Sequence, residues 1–269
     1  MKIIRRILLV VCLAFFLYSA GNLANIGYKY HKVNSDNKKL QEEVVTEVKQ
    51  DSPLDRKVDF NQLKSINEDI VGWIYIPNTN IDYALLKGKT NDTYIHTNYE
   101  KKYSFGGSIF LDEDNNASLT DSNTIIYGHN MKNGSMFGHL KKFREDDRLY
   151  KQDKYFWILT PERNYRYEII TAYTTGVNSD TYTLFKGPGE EFEKYLETIK
   201  GYSEIQTDDT DLTIKDRIVT LSTCTGNEST RFVVQGKRVD AEDADGAATN
   251  TDSTADEENT DEISLDIAG

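Results

Sequence analysis

The stretch that decides the fold reads IVTLSTC and occupies residues 218–224. Its β-branched and apolar residues predict a strand, and TGN at residues 225–227 predicts a turn directly after it. The strand carries Cys224 to its end, where a side chain is held firmly and stays accessible, as a nucleophile requires. The alternative is that Cys224 is a buried core cysteine, which is a common position for an unpaired thiol.

Outward from this strand, the chain contains short β-rich runs separated by turn residues. The predicted strands are Gly72–Ile76, Ile81–Leu86, Gly107–Leu111, Asn123–Tyr127, Asp147–Leu149 leading into Tyr155–Leu159, Tyr165–Tyr173, Ile218–Ser222 and Phe232–Val234. Helices are predicted at Phe60–Ile66 and, before the cysteine strand, at Glu190–Ile199. About eight short strands with few helices predict a mostly β fold, built as a closed or nearly closed barrel.

The N-terminus determines the compartment. Lys2, Arg5 and Arg6 precede an uncharged run from Ile7 to Tyr28, which is about long enough to span a bilayer, a task for ~20 residues. We interpret residues 1–28 as a cytoplasmic tip and an uncleaved signal-anchor, with a cleaved secretory signal as the alternative. The preceding charges favour a cytoplasmic N-terminus, so the rest of the chain is expected to be extracellular.

Three further segments follow the anchor. Residues 29–58 have apolar positions at helical spacing and predict a juxtamembrane helical stalk that lifts the domain off the membrane, broken at DSP, residues 51–53. Residues 59–239 form the predicted catalytic domain. Residues 240–269 are acidic with few apolar positions, and we expect them to be disordered.

The net charge comes mainly from this tail. The stretch from Val239 to Gly269 has eleven carboxylates and no Lys or Arg, against a net charge of −12 for the whole chain. The folded domain is therefore close to neutral and has no basic stripe, so we expect no nucleic-acid partner.

His129 occupies the same kind of position as Cys224. It follows the apolar run Asn123–Tyr127 and Gly128, so a strand delivers it to an edge of the barrel. The other three histidines, His31, His96 and His139, are expected to be solvated or structural. A lone histidine at a strand end is usually structural, but beside a strand-end cysteine it can exchange the proton that turns the thiol into a thiolate.

Arg231 stands seven residues after Cys224. If the two strands form a hairpin, Arg231 returns beside Cys224, where a guanidinium can stabilise the oxyanion formed when a thiolate attacks a carbonyl. The alternative is an ordinary arginine at a strand edge. The only other cysteine, Cys12, lies in the apolar N-terminal run, so no disulfide is expected. No residue cluster has metal-ligand spacing, and we expect neither metal nor cofactor.

Together these motifs resemble the sortase family. The carriers are YGHN at residues 127–130, TLSTC at residues 220–224 and the downstream Arg231, and the resemblance extends over most of the domain, roughly Phe60 to Lys237. Class B is favoured by NEDIVGWI at 67–74, GSIFLD at 107–112, NGSMF at 133–137, the N-terminal helices and the helix inserted before the cysteine strand. One departure is Asp82-Tyr83-Ala84, where class B members often have proline after Asp-Tyr.

The resemblance implies an eight-stranded sortase β-barrel and a cysteine transpeptidase. Cys224 corresponds to the nucleophile, His129 to the acid/base and Arg231 to the transition-state stabiliser. The positions matching the sorting-signal groove are Asn91, Ile95, Tyr127, Tyr182 and Ser222. The implied substrates are surface proteins with a C-terminal sorting signal, of the Asn-Pro-x-Thr type, and an amine acceptor of a lipid II-type cell-wall precursor.

Two other functions fit the same residues. A cysteine peptidase would pass the acyl group to water instead of an amine. A membrane-tethered binding domain would carry an incidental, unreactive thiol.

Overall fold

The computed structural model describes residues 2–47, 54 and 56–243. Its centre is a closed barrel of eight strands in the order β10-β8-β7-β3-β4-β5-β6-β9, which confirms the predicted fold class. The barrel strands are β3 (Ile70–Ile76), β4 (Ile81–Leu86), β5 (Ile109–Leu111), β6 (Asn123–Tyr127), β7 (Tyr155–Leu159), β8 (Arg163–Gly176), β9 (Ile218–Cys224) and β10 (Thr230–Asp243).

The N-terminal segment forms one 43-residue helix, α1 (Lys2–Val44). Its apolar N-terminal part is exposed, and α1 is the one helix in the described part of the chain that is long and apolar enough to cross a membrane. A signal sequence near an N-terminus would meet the same criteria of length and hydropathy.

The region predicted as a stalk packs on the barrel. Val33, Leu40 and Val44 of α1 are buried, and the helix leads into the two-stranded sheet of β1 (Val45–Glu47) and β2 (Arg56–Val58). The C-terminal part of the helix contacts the domain because burial of these apolar side chains is more favourable than their exposure to solvent. The predicted break at residues 51–53 lies outside the described residues.

Short helices surround the barrel. They are α2 (Phe60–Ile66), α3 (Lys142–Glu145), α4 (Asp147–Gln152) and α5 (Glu190–Gly201). The predicted strand at Asp147–Leu149 was wrong: the residues belong to α4, whose N-terminus is capped by the Asp146 side chain accepting from the Arg148 N–H. The cap favours a helix here, and Asp147, Arg148 and Leu149 include no β-branched or aromatic residue that would favour a strand.

The predicted tail begins too early. Strand β10 continues to Asp243, and Asp240 and Ala241 pair with Arg166 and Tyr165 of β8. The Arg166 guanidinium donates to the Asp240 carboxylate at 3.2 Å, so the first acidic residue is held in the sheet by a partner that is distant in sequence. The rest of the predicted tail, residues 244–269, lies outside the described residues.

The faces of β9 and β10 separate the core from the site. Val219 and Leu221 of β9, with Phe232 and Val234 of β10, belong to the main hydrophobic core inside the barrel. Strand residues alternate between faces, so Ser222 and Cys224 lie on the outer face. Helix α5 covers part of that face with Phe192, Tyr195, Leu196 and Ile199, all buried, as its predicted apolar side requires.

Candidate active site

Cys224 is the last residue of β9 and is half-buried. Its thiol is unpaired, as is that of the exposed Cys12. The preceding residue, Thr223, donates its hydroxyl to the Gly128 carbonyl at 2.7 Å. This bond fixes the end of β9 against the segment that follows β6, so the cysteine is anchored without being enclosed.

His129 reaches the same point from the parallel neighbour of β9. Tyr127 of β6 is in register with Ser222, and the Gly128 N–H donates to the Ser222 carbonyl at 3.1 Å. When this register is extended by two residues beyond Tyr127 and Ser222, His129 lies level with Cys224. The side chain of Asn130 donates to the Cys224 carbonyl at 2.7 Å, which continues the pairing past the end of the strands.

The His129 ring is oriented by a backbone carbonyl. Its Nε2 lies 2.8 Å from the Ile95 oxygen, and a carbonyl oxygen only accepts hydrogen bonds. This assigns the proton of the neutral imidazole to Nε2 and leaves Nδ1 as the basic nitrogen. Partial burial lowers the pKa of His129, the bond to Ile95 opposes that change, and the nearby charge of His96 lowers the pKa further.

Arg231 lies opposite Cys224 across the antiparallel pair of β9 and β10, where facing Cα atoms are about 4.5–5.5 Å apart. One guanidinium nitrogen, Nη1, donates to the carbonyls of Glu228 and Thr230, both at 2.9 Å. The connecting loop turns through Gly226, which has a φ of +96°. The backbone thus holds one arm of the guanidinium while its other N–H groups remain available to a ligand.

Four of the five predicted groove residues, Tyr182, Ser222, Tyr127 and Asn91, are linked to one another, and Ile95 lies apart from them beside His129. Tyr182 and Ser222 join hydroxyl to hydroxyl at 2.8 Å, and the Tyr182 and Tyr127 rings stack with centroids 6.5 Å apart. Asn91 is linked to Tyr127 through a shared carboxylate, as described next. Ile95 acts in the structure mainly through its carbonyl, which contacts His129.

Asp112 connects two groove residues. Its Oδ2 accepts from the Tyr127 hydroxyl at 2.9 Å and from the Asn91 amide at 3.0 Å. Burial and this carboxylate raise the pKa of Tyr127, and Arg231 opposes the rise. Burial also raises the pKa of Tyr182; the hydrogen bond to Ser222 and the charge of Arg231 lower it, and Cys224 raises it. Tyr127, Asp112, Tyr182 and Ser222 therefore form a continuous polar wall beside Cys224.

Sequence reasoning did not assign a site role to three residues. Asn130 and Asp112 lie inside motifs that carried the family resemblance, so their positions in those motifs were the available signal. His96 was expected to be solvated or structural. It is exposed, but its ring stacks on His129 with centroids 5.4 Å apart, a contact that depends on a loop path the sequence does not reveal.

The combined arrangement is suited to acyl transfer. A thiol, an imidazole and a guanidinium occupy the ends of three neighbouring strands, at one edge of the barrel, next to a polar wall. Among the described residues, residues 2–47, 54 and 56–243, no group of three or more His, Cys, Asp or Glu side chains is placed to hold a metal ion.

Comparison with known proteins identifies the family to which the domain is similar. The family described as "Sortase domain" matches residues 74–239. Sortase B of Listeria monocytogenes is 41% identical over 186 residues, covering 67% of this chain and 74% of that protein. Sortase B of Staphylococcus aureus is 35% identical over 179 residues, covering 65% of this chain and 72% of that protein.

Solved structures give the same result. A Bacillus anthracis sortase B crystal structure, in complex with AAEK1, superimposes with a TM-score of 0.68 and 34% identity over 79% of this chain and 98% of that one. The Clostridium perfringens sortase B structure has a TM-score of 0.63 and 37% identity, covering 68% and 100% of the two chains. A Staphylococcus aureus sortase B–substrate complex has a TM-score of 0.62 and 33% identity, covering 67% and 84%.

Proposed function

Since this chain belongs to the sortase family, we propose that it is a class B sortase that cleaves an Asn-Pro-x-Thr-type sorting signal after its Thr and joins the protein to a cell-wall amine. The observation that carries the proposal is the strand register. It brings His129 level with Cys224 on one side and Arg231 opposite Cys224 on the other.

In the first half of the proposed reaction, the Cys224 thiolate attacks the carbonyl carbon of the signal's Thr. The Arg231 guanidinium donates to the oxyanion of the tetrahedral intermediate, which is the charge that catalysis must stabilise. His129, as imidazolium, gives its proton to the leaving amine as the carbon–nitrogen bond breaks. The products are a thioester on Cys224, a released C-terminal peptide and a neutral His129.

In the second half, an acceptor amine attacks the thioester carbonyl. Neutral His129 takes a proton from the attacking amine, and Arg231 again donates to the oxyanion. The carbon–sulfur bond breaks, Cys224 returns to the thiolate and His129 to the imidazolium. His129 therefore gives one proton to the leaving amine and takes one from the acceptor amine, so the cycle needs no other acid or base.

The groove residues are proposed to hold the signal beside Cys224. Tyr127 and Tyr182 offer stacked aromatic surfaces, Ser222 and Asn91 offer hydrogen-bonding groups, and Ile95 lies at the His129 end. The Staphylococcus aureus neighbour is a sortase B–substrate complex, which supports a peptide-binding role for the corresponding surface.

We further propose that α1 anchors the enzyme in the cell membrane, with a cytoplasmic N-terminus and an extracellular catalytic domain. Its apolar part is exposed and follows the basic residues Lys2, Arg5 and Arg6, the charge pattern of a cytoplasmic end. The proposed amine acceptor is a lipid II-type wall precursor, which would share the membrane with the enzyme.

Intact-protein mass spectrometry of the full chain in detergent tests this function. Candidate signal peptides are added with and without an amine acceptor, and Cys224→Ala is compared with the matched control Cys12→Ala. We expect the wild type and the control to gain the mass of the N-terminal peptide fragment and to lose it as an amine adduct. Cys224→Ala should remain folded and gain no mass.

The alternatives give different results in this assay. Release of the fragment only as an acid, with amine present, would identify a hydrolytic cysteine peptidase. No adduct with any peptide, from a folded protein, would favour a binding domain. Turnover by Cys224→Ala would refute the assignment of the nucleophile.

A further inference from the structure

The exposed imidazole of His96 lies against the proposed acid/base. The rings of His96 and His129 are nearly parallel, with an angle of 17° and centroids 5.4 Å apart. His96 follows Ile95, whose carbonyl contacts Nε2 of His129. Two consecutive residues of the β4–β5 connection therefore act on the same imidazole, one through its carbonyl and the other through its ring.

The backbone of this connection fixes the position of His96. The His96 carbonyl accepts from the Ser104 N–H at 2.9 Å, and Thr97 and Tyr103 form a β-bridge. The Tyr103 ring lies 6.3 Å from the His96 ring. The His96 side chain thus projects from a small closed hairpin toward His129.

We propose that His96 is a positioning residue for His129: its ring holds the catalytic imidazole in orientation, and its charge sets how readily that imidazole is protonated. The inference rests on the proposed acid/base role of His129. Stacked faces do not place one ring nitrogen in line with another, so the influence acts through contact and electric field, without proton relay between the rings.

The effect of His96 must be separated from that of the other titratable groups at this end of the barrel. Cys224 lies level with His129 on β9, Arg231 lies opposite Cys224 on β10, and the Tyr103 ring lies 6.3 Å from the His96 ring. From α1, Lys29 is placed over the Phe105 ring. The charge of His96 is one cause of the lowered pKa of His129, and it can be changed while these groups remain.

The sign of the effect follows from like charges. Two positive charges 5.4 Å apart in a water-like dielectric change a protonation constant roughly fourfold. A positive charge at position 96 therefore opposes protonation of His129, and an uncharged ring at the same position does not.

Three substitutions separate contact from charge. His96→Phe keeps an aromatic ring and removes the charge, His96→Arg keeps a positive charge at every pH, and His96→Ala removes both. The matched control is His31→Phe, since His31 is another exposed histidine and lies on α1. All are measured as full chains in detergent.

The direct readout is NMR titration of the His129 ring in chains labelled at histidine, of which there are four. A Cys224→Ala background prevents the thiol from titrating with the imidazole. We expect the protonation constant of His129 to be roughly fourfold larger in His96→Phe than in His96→Arg.

Kinetics of the Cys224-containing chains test the positioning role. His96→Ala should lower kcat severalfold at pH 8 with KM unchanged, and His96→Phe should retain the wild-type kcat. Superimposable His129 titrations in the Phe and Arg variants would overturn the charge role, and equal kcat values in the Ala and Phe variants would overturn the positioning role. The NMR result stands even if the chain proves not to be a transpeptidase, so the two hypotheses fail separately.

Discussion

We predict that the hydroxyl of Tyr195 stabilises the turn that carries the groove residue Tyr182. Tyr195 projects from α5 into a buried polar network on the outer face of β9. Its hydroxyl donates to the Thr181 carbonyl at 3.1 Å and accepts from the amides of Gln235 at 2.7 Å and Asn123 at 3.2 Å. Thr181 directly precedes Tyr182, so the network holds the turn that presents Tyr182 to Ser222.

The cost of Tyr195→Phe can be worked out bond by bond. The side-chain amide of Asn123 still donates to the Thr183 carbonyl at 2.9 Å. It also lies 3.5 Å from the Thr181 carbonyl, so it can donate there and replace the bonds that both groups lose with the Tyr195 hydroxyl. The amide nitrogen of Gln235 keeps its bond to the Thr220 hydroxyl, and its other, buried N–H is left without a partner. One orphaned buried donor costs about 1–3 kcal/mol, which corresponds to a fall in Tm of about 2–12 °C.

Thermal unfolding and peptide kinetics measure the two consequences. The matched control is Tyr202→Phe, because the 42% exposed Tyr202 bonds Asp180 of the same turn from the solvent side, at 3.1 Å. We expect the control to change stability by less than about 0.5 kcal/mol. Tyr195→Phe should also raise KM for the signal peptide more than the control does.

If Tyr195→Phe is no less stable than Tyr202→Phe, the buried network does not hold the turn. A loss of stability with unchanged KM would retain the network but separate it from peptide binding.

Three other predictions concern charge and ionisation. Arg231→Lys should lower kcat/KM about 10²–10³-fold, because one ammonium cannot both donate to the two backbone carbonyls and reach the oxyanion. Tm should change little. Asp112→Asn should raise KM for the signal peptide, because the amide nitrogen cannot accept the bonds now made to Oδ2, whereas the exposed Glu113→Gln should not. Burial raises the pKa of Tyr83 to about 12, above the unfolded value of about 10. Its contribution to the free energy of unfolding is therefore present below pH 10 and lost as the pH rises through 12, by about 3 kcal/mol in total. Urea unfolding across this pH range measures the loss, which should be absent in Tyr83→Phe.

The sequence predicted the strands that carry the site because each has a local pattern. Strands β4, β6 and β7 begin and end at the predicted residues, where apolar runs meet glycine, proline or aspartate. The same pattern placed Cys224 and His129 at strand ends. Their proximity followed from family resemblance, and the structure supplies its physical basis, the parallel register of β6 and β9.

Features that depend on distant partners were not predictable in this way. The acidic end of β10 is a strand because Arg166 is available across the sheet to Asp240. The helix at residues 29–44 is docked because the barrel presents an apolar surface to it, including Gly106, where an added Cβ would lie 2.8 Å from the Val33 side chain. Neither partner can be identified from the residues beside it.

The site residues also differ in how strongly the buried core fixes their positions. Register in a barrel is fixed by the buried face, since a slip of one residue would turn every side chain over. Leu221 and Val234 lie in the core while Cys224 and Arg231, on the same two strands, lie outside it, so Cys224 and Arg231 cannot shift along their strands without unfolding the core. The side chain of His96 is exposed, although its backbone is held by the Ser104 N–H, so it contributes little to the core. Substitutions there can therefore retune His129 at little cost in stability, which is why the charge series at His96 should alter the titration of His129 while Tm stays nearly constant.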